Sequence, residues 1–160
     1  MALTFKELIE NALNSHVEEI FPWDVEEFIK KNPDTLLLDI REDDEFDGCY
    51  IENSIHVPRG VLEQACDWDY AETVPELVKA RKKPVIVVCR SGNRSVLAAL
   101  TMTIMGYENV VSLKTGIKGW NDSDLPLINK EKQAVDPDWA DDFTNPPLRD
   151  DQLSVNNEDV

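Results

Sequence analysis

The chain has 160 residues, 42% of them hydrophobic, and its 32 acidic and 16 basic side chains give a formal net charge of -16. This length and apolar content suit one domain with a hydrophobic core and exclude a wholly disordered chain. Because binding to nucleic acids or anionic lipid surfaces depends on Lys and Arg, the acidic excess argues against nucleic-acid and membrane partners.

The predicted elements alternate between helix and strand along the chain. Helices are expected over 4–13, 22–32, 60–66, 74–80, 95–105 and 116–120, and strands over 17–20, 35–40, 54–58, 84–88 and 110–113. The continuous apolar runs Thr35–Ile40 and Pro84–Val88 are typical of strands buried on both faces of a parallel sheet. The pattern predicts an α/β fold with three layers, in which a mostly parallel sheet of about five strands carries helices on both faces.

The two ends of the chain differ from this central pattern. Residues 1–15 are interpreted as an N-terminal docking helix, capped by Thr4. Residues 129–160 are rich in acidic side chains and proline and predict an extended or disordered tail. We expect Trp139 and Phe143 to hold this tail against the domain surface.

Neither the N-terminus nor the cysteine pattern indicates export or metal binding. No basic start precedes an apolar stretch, and no run approaches the roughly 18 apolar residues of a membrane span, so a cytoplasmic location is expected. The three cysteines are widely spaced without a C-x-x-C pair, which predicts no disulfide framework, no metal site and no cofactor. Cys49 and Cys66 are interpreted as packing or surface residues.

The clearest chemical signature is the segment Cys89–Ser95, which connects the strand over 84–88 to the following helix. Ligands of parallel α/β sheets bind beyond the carboxyl ends of the strands, where this segment lies. Backbone N–H groups at the helix start, together with Arg90 and Arg94, favour a thiolate at Cys89 and an oxyanion beside it. Gly92 permits a positive φ in the turn. The surrounding residues 77–107 contain no acid and six basic side chains, which suits an anionic ligand.

These residues resemble the single-domain rhodaneses of the rhodanese-like sulfurtransferase family. The landmarks stand in the family's order: Leu37–Glu42 with Glu45-Phe46, Ile51–Pro58, Val87–Ser95, and Leu113–Trp120 with Leu125-Pro126. The resemblance implies the rhodanese fold over residues 16–128. The chain departs from the family pattern in two places. The segment Cys49–Ser54 stands where the family usually has Gly-His-Ile-Pro-Gly-Ala, and Thr115 stands where the first glycine of a Gly-Gly pair is usual.

The resemblance implies an enzyme of the thiosulfate sulfurtransferase type. Cys89 would take the outer sulfur of thiosulfate, a polysulfide or a persulfide, and would pass it to a thiol, cyanide or protein acceptor. Arg94, assisted by Arg90, would bind the anionic donor. Asp39 and Arg41 would form a structural ion pair under the loop. The residues expected to form the loop and bind substrate are Arg90, Ser91, Gly92, Asn93, Arg94 and Ser95.

Two other functions share parts of this pattern. A cysteine phosphatase or arsenate reductase has five residues between the cysteine and the arginine, whereas four separate Cys89 from Arg94. A non-catalytic interaction module or dedicated sulfur carrier of the same fold stays open, although Cys89, Gly92 and Arg94 together favour activity. The sequence does not indicate the oligomeric state.

Overall fold

The computed structural model describes residues 1–156, and its centre is a five-stranded, all-parallel sheet. The strands are β1 Glu18–Ile20, β2 Leu36–Asp39, β3 Ile55–His56, β4 Val85–Val88 and β5 Val110–Leu113. Their order across the sheet is β1-β5-β4-β2-β3. In the centre, Ile86 of β4 pairs with Leu37 of β2 on one side and Val111 of β5 on the other. The predicted α/β class and parallel sheet are confirmed.

Helices cover both faces of this sheet. Within residues 1–156 they are α1 Phe5–Asn14, α2 Val25–Lys31, α3 Asp43–Gly48, α4 Leu62–Ala65, α5 Pro75–Val78, α6 Arg94–Ile104, α7 Gly116–Asp122 and α8 Pro137–Phe143. Side chains alternate across a strand, so Val85 and Val87 pack towards α4, α5 and α6, whereas Ile86 and Val88 pack towards α2, α7 and α8. The predicted three layers are therefore present.

The first helix packs on the outside of this arrangement. Ile9 and Ala12 of α1 are buried against Val96 of α6, and Thr4 forms a capping box with Glu7 at its start. Capping satisfies backbone N–H groups that the first turn of a helix leaves free. None of the helices within residues 1–156 is long and apolar enough to cross a membrane.

Part of the segment after residue 129 is helical, which the composition did not predict. Helix α8 begins after Asp136, whose carboxylate accepts a hydrogen bond from the Trp139 N–H, and it buries Ala140 completely. The Phe143 ring lies against Gly48 of α3 and stacks on Trp139. The prediction of an extended or disordered tail is wrong over Pro137–Phe143, because a capped helix with an apolar face can bury that face against the domain.

Helix α3 was not predicted either. It lies in the acidic stretch after β2, where Glu42 and Glu45 form a capping box at its start. Acidic side chains in the first turn also interact favourably with the positive end of the helix dipole. This helix brings a carboxylate-rich surface to the carboxyl end of β2, beside the end of β4.

Candidate active site

Cys89 lies directly after β4, at the floor of the loop that leads into α6. Its Sγ accepts hydrogen bonds from the N–H groups of Gly92 and Ser95, at 3.2 and 3.3 Å. The residue is only 1% exposed. These fixed N–H donors interact more strongly with negative charge on sulfur than with a neutral thiol.

Two buried hydroxyl groups extend this hydrogen-bonding arrangement. Ser95 Oγ lies 3.2 Å from Cys89 Sγ and 2.7 Å from Ser112 Oγ, which belongs to the centre of β5. Both serines are fully buried. A thiolate has no proton to donate. If Cys89 is ionised, both hydrogen bonds therefore run towards the sulfur: the Ser112 hydroxyl donates to Ser95 Oγ, and the Ser95 hydroxyl donates to Cys89 Sγ.

The turn after β5 packs against the cysteine loop and donates hydrogen bonds to its backbone. The N–H groups of Ile117 and Lys118 donate to the carbonyls of Cys89 and Arg90, at 2.9 and 3.0 Å. A Cβ on Gly116 would lie 2.4 Å from the Cys89 carbonyl oxygen, and one on Gly92 would lie 2.8 Å from the backbone nitrogen of the residue before Gly116. Both glycines also have positive φ, at 61° and 85°, so backbone contact and conformation each require glycine there.

The predicted ion pair of Asp39 and Arg41 is present and almost completely buried. The guanidinium donates to both carboxylate oxygens, with a shortest distance of 2.8 Å. It also donates to the carbonyls of Glu45 and Cys49. The pair thereby connects the end of β2 to the inside of α3 and to the residue that follows α3, which is the structural role predicted for it.

Arg94 is not a free cation in this structure. Its guanidinium donates to both carboxylate oxygens of Glu45, each at 2.9 Å. Burial opposes ionisation of Glu45, but the hydrogen bonds from Arg94 and from the Glu42 N–H outweigh it, so the pKa of Glu45 is lowered. The same hydrogen bond raises the pKa of Arg94. An anion that binds Arg94 must therefore compete with Glu45.

A cavity of about 650 Å³ lies over the cysteine loop. Arg90, Ser91, Asn93 and Arg94 line it from the loop. Gly92 and Ser95 do not line it, and their N–H and hydroxyl groups contact Cys89 Sγ instead. The structure thus brings the predicted loop residues together: four of them line the cavity, and two contact the Cys89 sulfur.

The other two cysteines lie in the hydrophobic core. Cys49 and Cys66 are both fully buried, and burial raises the pKa of each thiol. All three cysteines are free. Within residues 1–156, no three His, Cys, Asp or Glu side chains group as metal ligands.

Several residues at this site lay outside the sequence prediction. Ser112 is the one polar residue of a buried strand, V-V-S-L, and this polarity was a usable signal. Glu45 was noted as a family landmark, but its contact with Arg94 spans 49 positions and has no local signature. Phe143 lines the cavity from a segment interpreted as a tail.

Comparison with known proteins gives one family. The sequence model described as "Rhodanese-like domain" matches residues 23–123. The chain is 33% identical over 128 residues to the uncharacterised protein YibN of Escherichia coli, covering 80% of each. It is 35% identical over 91 residues to a putative mitochondrial thiosulfate sulfurtransferase of Schizosaccharomyces pombe, covering 55% of this chain and 64% of that protein.

The chain spans only 23% of another relative, the adenylyltransferase and sulfurtransferase uba4 of Emericella nidulans, at 30% identity over 121 residues and 66% of this chain. Among solved structures, the polysulfide-sulfur transferase homodimer of Wolinella succinogenes has a TM-score of 0.59 and 27% identity, covering 79% of this chain and 88% of that one. A Rhodopseudomonas palustris protein of unknown function, described as a possible tyrosine phosphatase, has a TM-score of 0.70 and 28% identity, covering 79% and 96%.

Proposed function

The chain belongs to the rhodanese-like sulfurtransferase family, and from this premise we propose that it moves sulfane sulfur through a persulfide on Cys89. The observation that carries the proposal is the set of donors around the Cys89 sulfur. Two backbone N–H groups donate to Sγ within 3.3 Å, and the Ser95 hydroxyl oxygen lies 3.2 Å from it, where it can donate to a thiolate. Such fixed donors stabilise negative charge on sulfur without a metal or a separate base.

The reaction has two steps. First, the Cys89 thiolate attacks the outer sulfur of thiosulfate or a polysulfide; the donor S–S bond breaks, and sulfite or the shortened polysulfide leaves with the electron pair. Second, an acceptor thiolate or cyanide attacks the outer sulfur of the persulfide, and the Cys89 thiolate is released. The loop N–H groups stabilise the anionic sulfur in every state of this cycle.

The two loop arginines have different tasks in the proposed function. Arg90 lines the cavity without an ion-pair partner in residues 1–156, so it is available to the charged end of a donor. Arg94 already donates to both carboxylate oxygens of Glu45. To bind a sulfonate, it must give up at least one of these hydrogen bonds and form one to a sulfonate oxygen instead. Turnover with thiosulfate therefore carries a cost that a donor without a sulfonate avoids.

Loop length argues against phosphatase activity, despite the similar structure described as a possible tyrosine phosphatase. Four residues separate Cys89 from Arg94. The phosphatase pattern has five, and the longer ring of N–H groups accommodates a tetrahedral phosphate. The shorter ring suits a single sulfur atom.

Intact mass after incubation with polysulfide or thiosulfate tests the proposal. The wild type should gain the mass of one sulfur, Cys66→Ala should behave alike, and Cys89→Ser should gain none. Absence of an adduct on Cys89 with both donors would sink the proposal. Cys89-dependent hydrolysis of an aryl phosphate would favour the phosphatase, and loading without release to any thiol, cyanide or protein would favour a dedicated sulfur carrier.

A further inference from the structure

The C-terminal segment, residues 128–146, lies outside the family-matched part of the chain and contacts α3 and the residues that follow it. The backbone of Ile128 pairs with that of Tyr50 in an isolated antiparallel bridge, with two hydrogen bonds of 2.9 Å. Lys130 forms an ion pair with Asp47 of α3, also at 2.9 Å. Two contacts of different kinds therefore join this segment to α3 and its end.

Phe143 of α8 makes the third contact, and it is the closest of the three. Its ring packs directly on Gly48, the last residue of α3, where an added Cβ would lie 2.3 Å from the nearest ring atom. The ring also stacks on Trp139 and packs against the core cluster that contains Ala140. The end of α3 therefore rests on a side chain that is itself fixed by its neighbours.

Helix α3 depends on such contacts because it buries little of its own surface. It consists of the six residues Asp43–Gly48, and none of these six is buried. Within the family-matched domain, the Arg41 guanidinium donates into it, and the Phe46 ring stacks on two neighbouring rings. Short helices are stabilised mainly by packing rather than by propensity. Loss of a contact with the C-terminal segment should therefore loosen α3 while the central sheet stays folded.

The position of α3 determines whether Arg94 is paired. Glu45 lies within α3, and both of its carboxylate oxygens accept hydrogen bonds from the Arg94 guanidinium. Arg94 begins α6, which is anchored in the hydrophobic core. The pair thus joins a firmly packed helix to a weakly packed one. Because a paired arginine–carboxylate interaction has strict geometric requirements, displacement of α3 weakens it.

From the three contacts between the C-terminal segment and α3, we propose that this segment holds the Glu45 carboxylate on Arg94 and thereby slows loading by sulfur donors that need this arginine. The inference rests on the proposed function, in which a sulfonate replaces Glu45. Thiosulfate must displace a carboxylate that the C-terminal segment keeps in place, whereas a polysulfide has no sulfonate and does not require that exchange. Phe143 is a positioning residue in this arrangement, since it acts through α3 and Glu45.

The first measurement compares two donors on the full-length protein. The rates at which thiosulfate and polysulfide add sulfur to Cys89 are followed by intact mass, and their ratio is taken for each variant. A change in the reactivity of the cysteine alters both rates and cancels in the ratio. Phe143→Ala should raise the thiosulfate-to-polysulfide ratio several-fold, whereas Phe143→Leu, which keeps a bulky apolar side chain, should stay close to the wild type.

Two further variants calibrate this effect. Lys130→Gln should raise the ratio by a smaller factor than Phe143→Ala, because the ion pair with Asp47 is largely exposed to solvent. Trp68→Ala removes an exposed aromatic ring from the segment between α4 and α5 and should change nothing.

A double-mutant cycle distinguishes positioning from direct contact with the donor. Phe143 also lines the cavity, and a direct contact with the donor would act whether or not Glu45 is present. A residue that acts through Glu45 has no effect once this carboxylate is gone. In a Glu45→Gln background, Phe143→Ala should therefore leave the donor ratio unchanged. An equal rise in both backgrounds would overturn the inference.

The pKa of Glu45 gives a readout that needs no sulfur transfer. Burial raises this pKa, but hydrogen bonds from Arg94 and from the Glu42 N–H lower it below its ordinary value of 4.5. Loosening α3 weakens the bonds from Arg94, so in Phe143→Ala the pKa of Glu45 should rise. The carboxyl carbon chemical shift, followed by NMR over a pH titration, measures this change. Trp68→Ala should keep the wild-type pKa.

The outcomes separate this inference from the proposed function. If neither donor loads Cys89 in the wild type, the proposed function fails, and the Glu45 titration alone decides whether the C-terminal segment holds this carboxylate. If Phe143→Ala changes neither the pKa of Glu45 nor the donor ratio, the inference is refuted. A raised pKa with an unchanged ratio refutes the effect on donors. If Phe143→Ala does not fold, the same comparisons are made with Lys130→Gln, and unchanged values there refute the inference.

Discussion

Replacing Thr115 with glycine should stabilise the protein. Thr115 has φ 66° and ψ -7°, in the left-handed region, where a β-branched residue is a genuine outlier. It occupies the turn directly before Gly116, which lies against the Cys89 carbonyl. The chain thus holds a strained residue at the position where the family pattern has glycine.

The expected gain follows from two opposing terms. A side chain in the left-handed region costs about 1–2 kcal/mol, and glycine removes that cost. Glycine also gives the unfolded chain more freedom, which costs about 0.5–1 kcal/mol. At the midpoints of these ranges the net gain is about 0.75 kcal/mol, which corresponds to a rise in Tm of about 1.5–3 °C for a chain of this length.

Urea unfolding followed by circular dichroism, with reductant present, measures this gain. The midpoint for Thr115→Gly should rise while the slope stays constant. Asp124→Gly is the matched control, because Asp124 also has a positive φ, 58°, yet aspartate tolerates that region. A lower midpoint for Thr115→Gly, or a gain no larger than that of the control, would refute the reasoning. Persulfide formation should be unchanged, since the bond from the Ile117 N–H to the Cys89 carbonyl uses backbone atoms alone.

Two further predictions concern the groups around Cys89. Glu45→Gln breaks the paired hydrogen bonds with Arg94 and should destabilise the protein by about 1–3 kcal/mol at neutral pH, while freeing Arg94 and speeding loading by thiosulfate relative to polysulfide. The pKa of Glu45 is lowered in the folded protein. The stability that its ionised carboxylate contributes is therefore complete above the ordinary pKa of 4.5 and is lost as the pH falls through the lower pKa of the folded state. The urea midpoints of the wild type and Glu45→Gln should accordingly converge in acid. Ser112→Ala removes the hydroxyl that is hydrogen-bonded to Ser95 and should slow alkylation of Cys89 by iodoacetamide several-fold, whereas Ser112→Thr should preserve the rate. A wild-type rate in both variants would show that the two hydroxyls do not act on the sulfur.

The strand–loop–helix unit around Cys89 was predictable because its determinants are local. The apolar run of β4 specifies a strand buried on both faces. The polar residues after it specify a turn, and Gly92 adopts the positive φ that its residue type permits. The pair of Asp39 and Arg41, which the family resemblance implied at the end of the neighbouring strand, is also present.

Helices α3 and α8 escaped prediction because each is short and mostly acidic. Glu42 and Glu45 cap α3, but a capping box in a seven-residue acidic stretch is indistinguishable from a charged loop until tertiary contacts are known. Helix α8 owes its order to Ala140 and Phe143, which pack against residues far away in sequence. Short helices are stabilised mainly by such packing rather than by propensity, so composition alone favoured a tail.

The same long-range contacts change the meaning of the charge pattern. Residues 77–107 carry no acidic side chain. From the sequence alone, an anion bound at the cysteine loop would therefore meet only basic neighbours. Folding brings Glu45 onto Arg94 and places Glu42 and Asp44 at the same cavity. Electrostatic attraction depends on distance in space and on the dielectric between charges, not on separation along the chain. Under the proposed function, selectivity at Cys89 should therefore be set by α3 and by the segment after α8, which supply acidic and apolar walls of the cavity, while the loop would supply the sulfur that reacts and the donors around it.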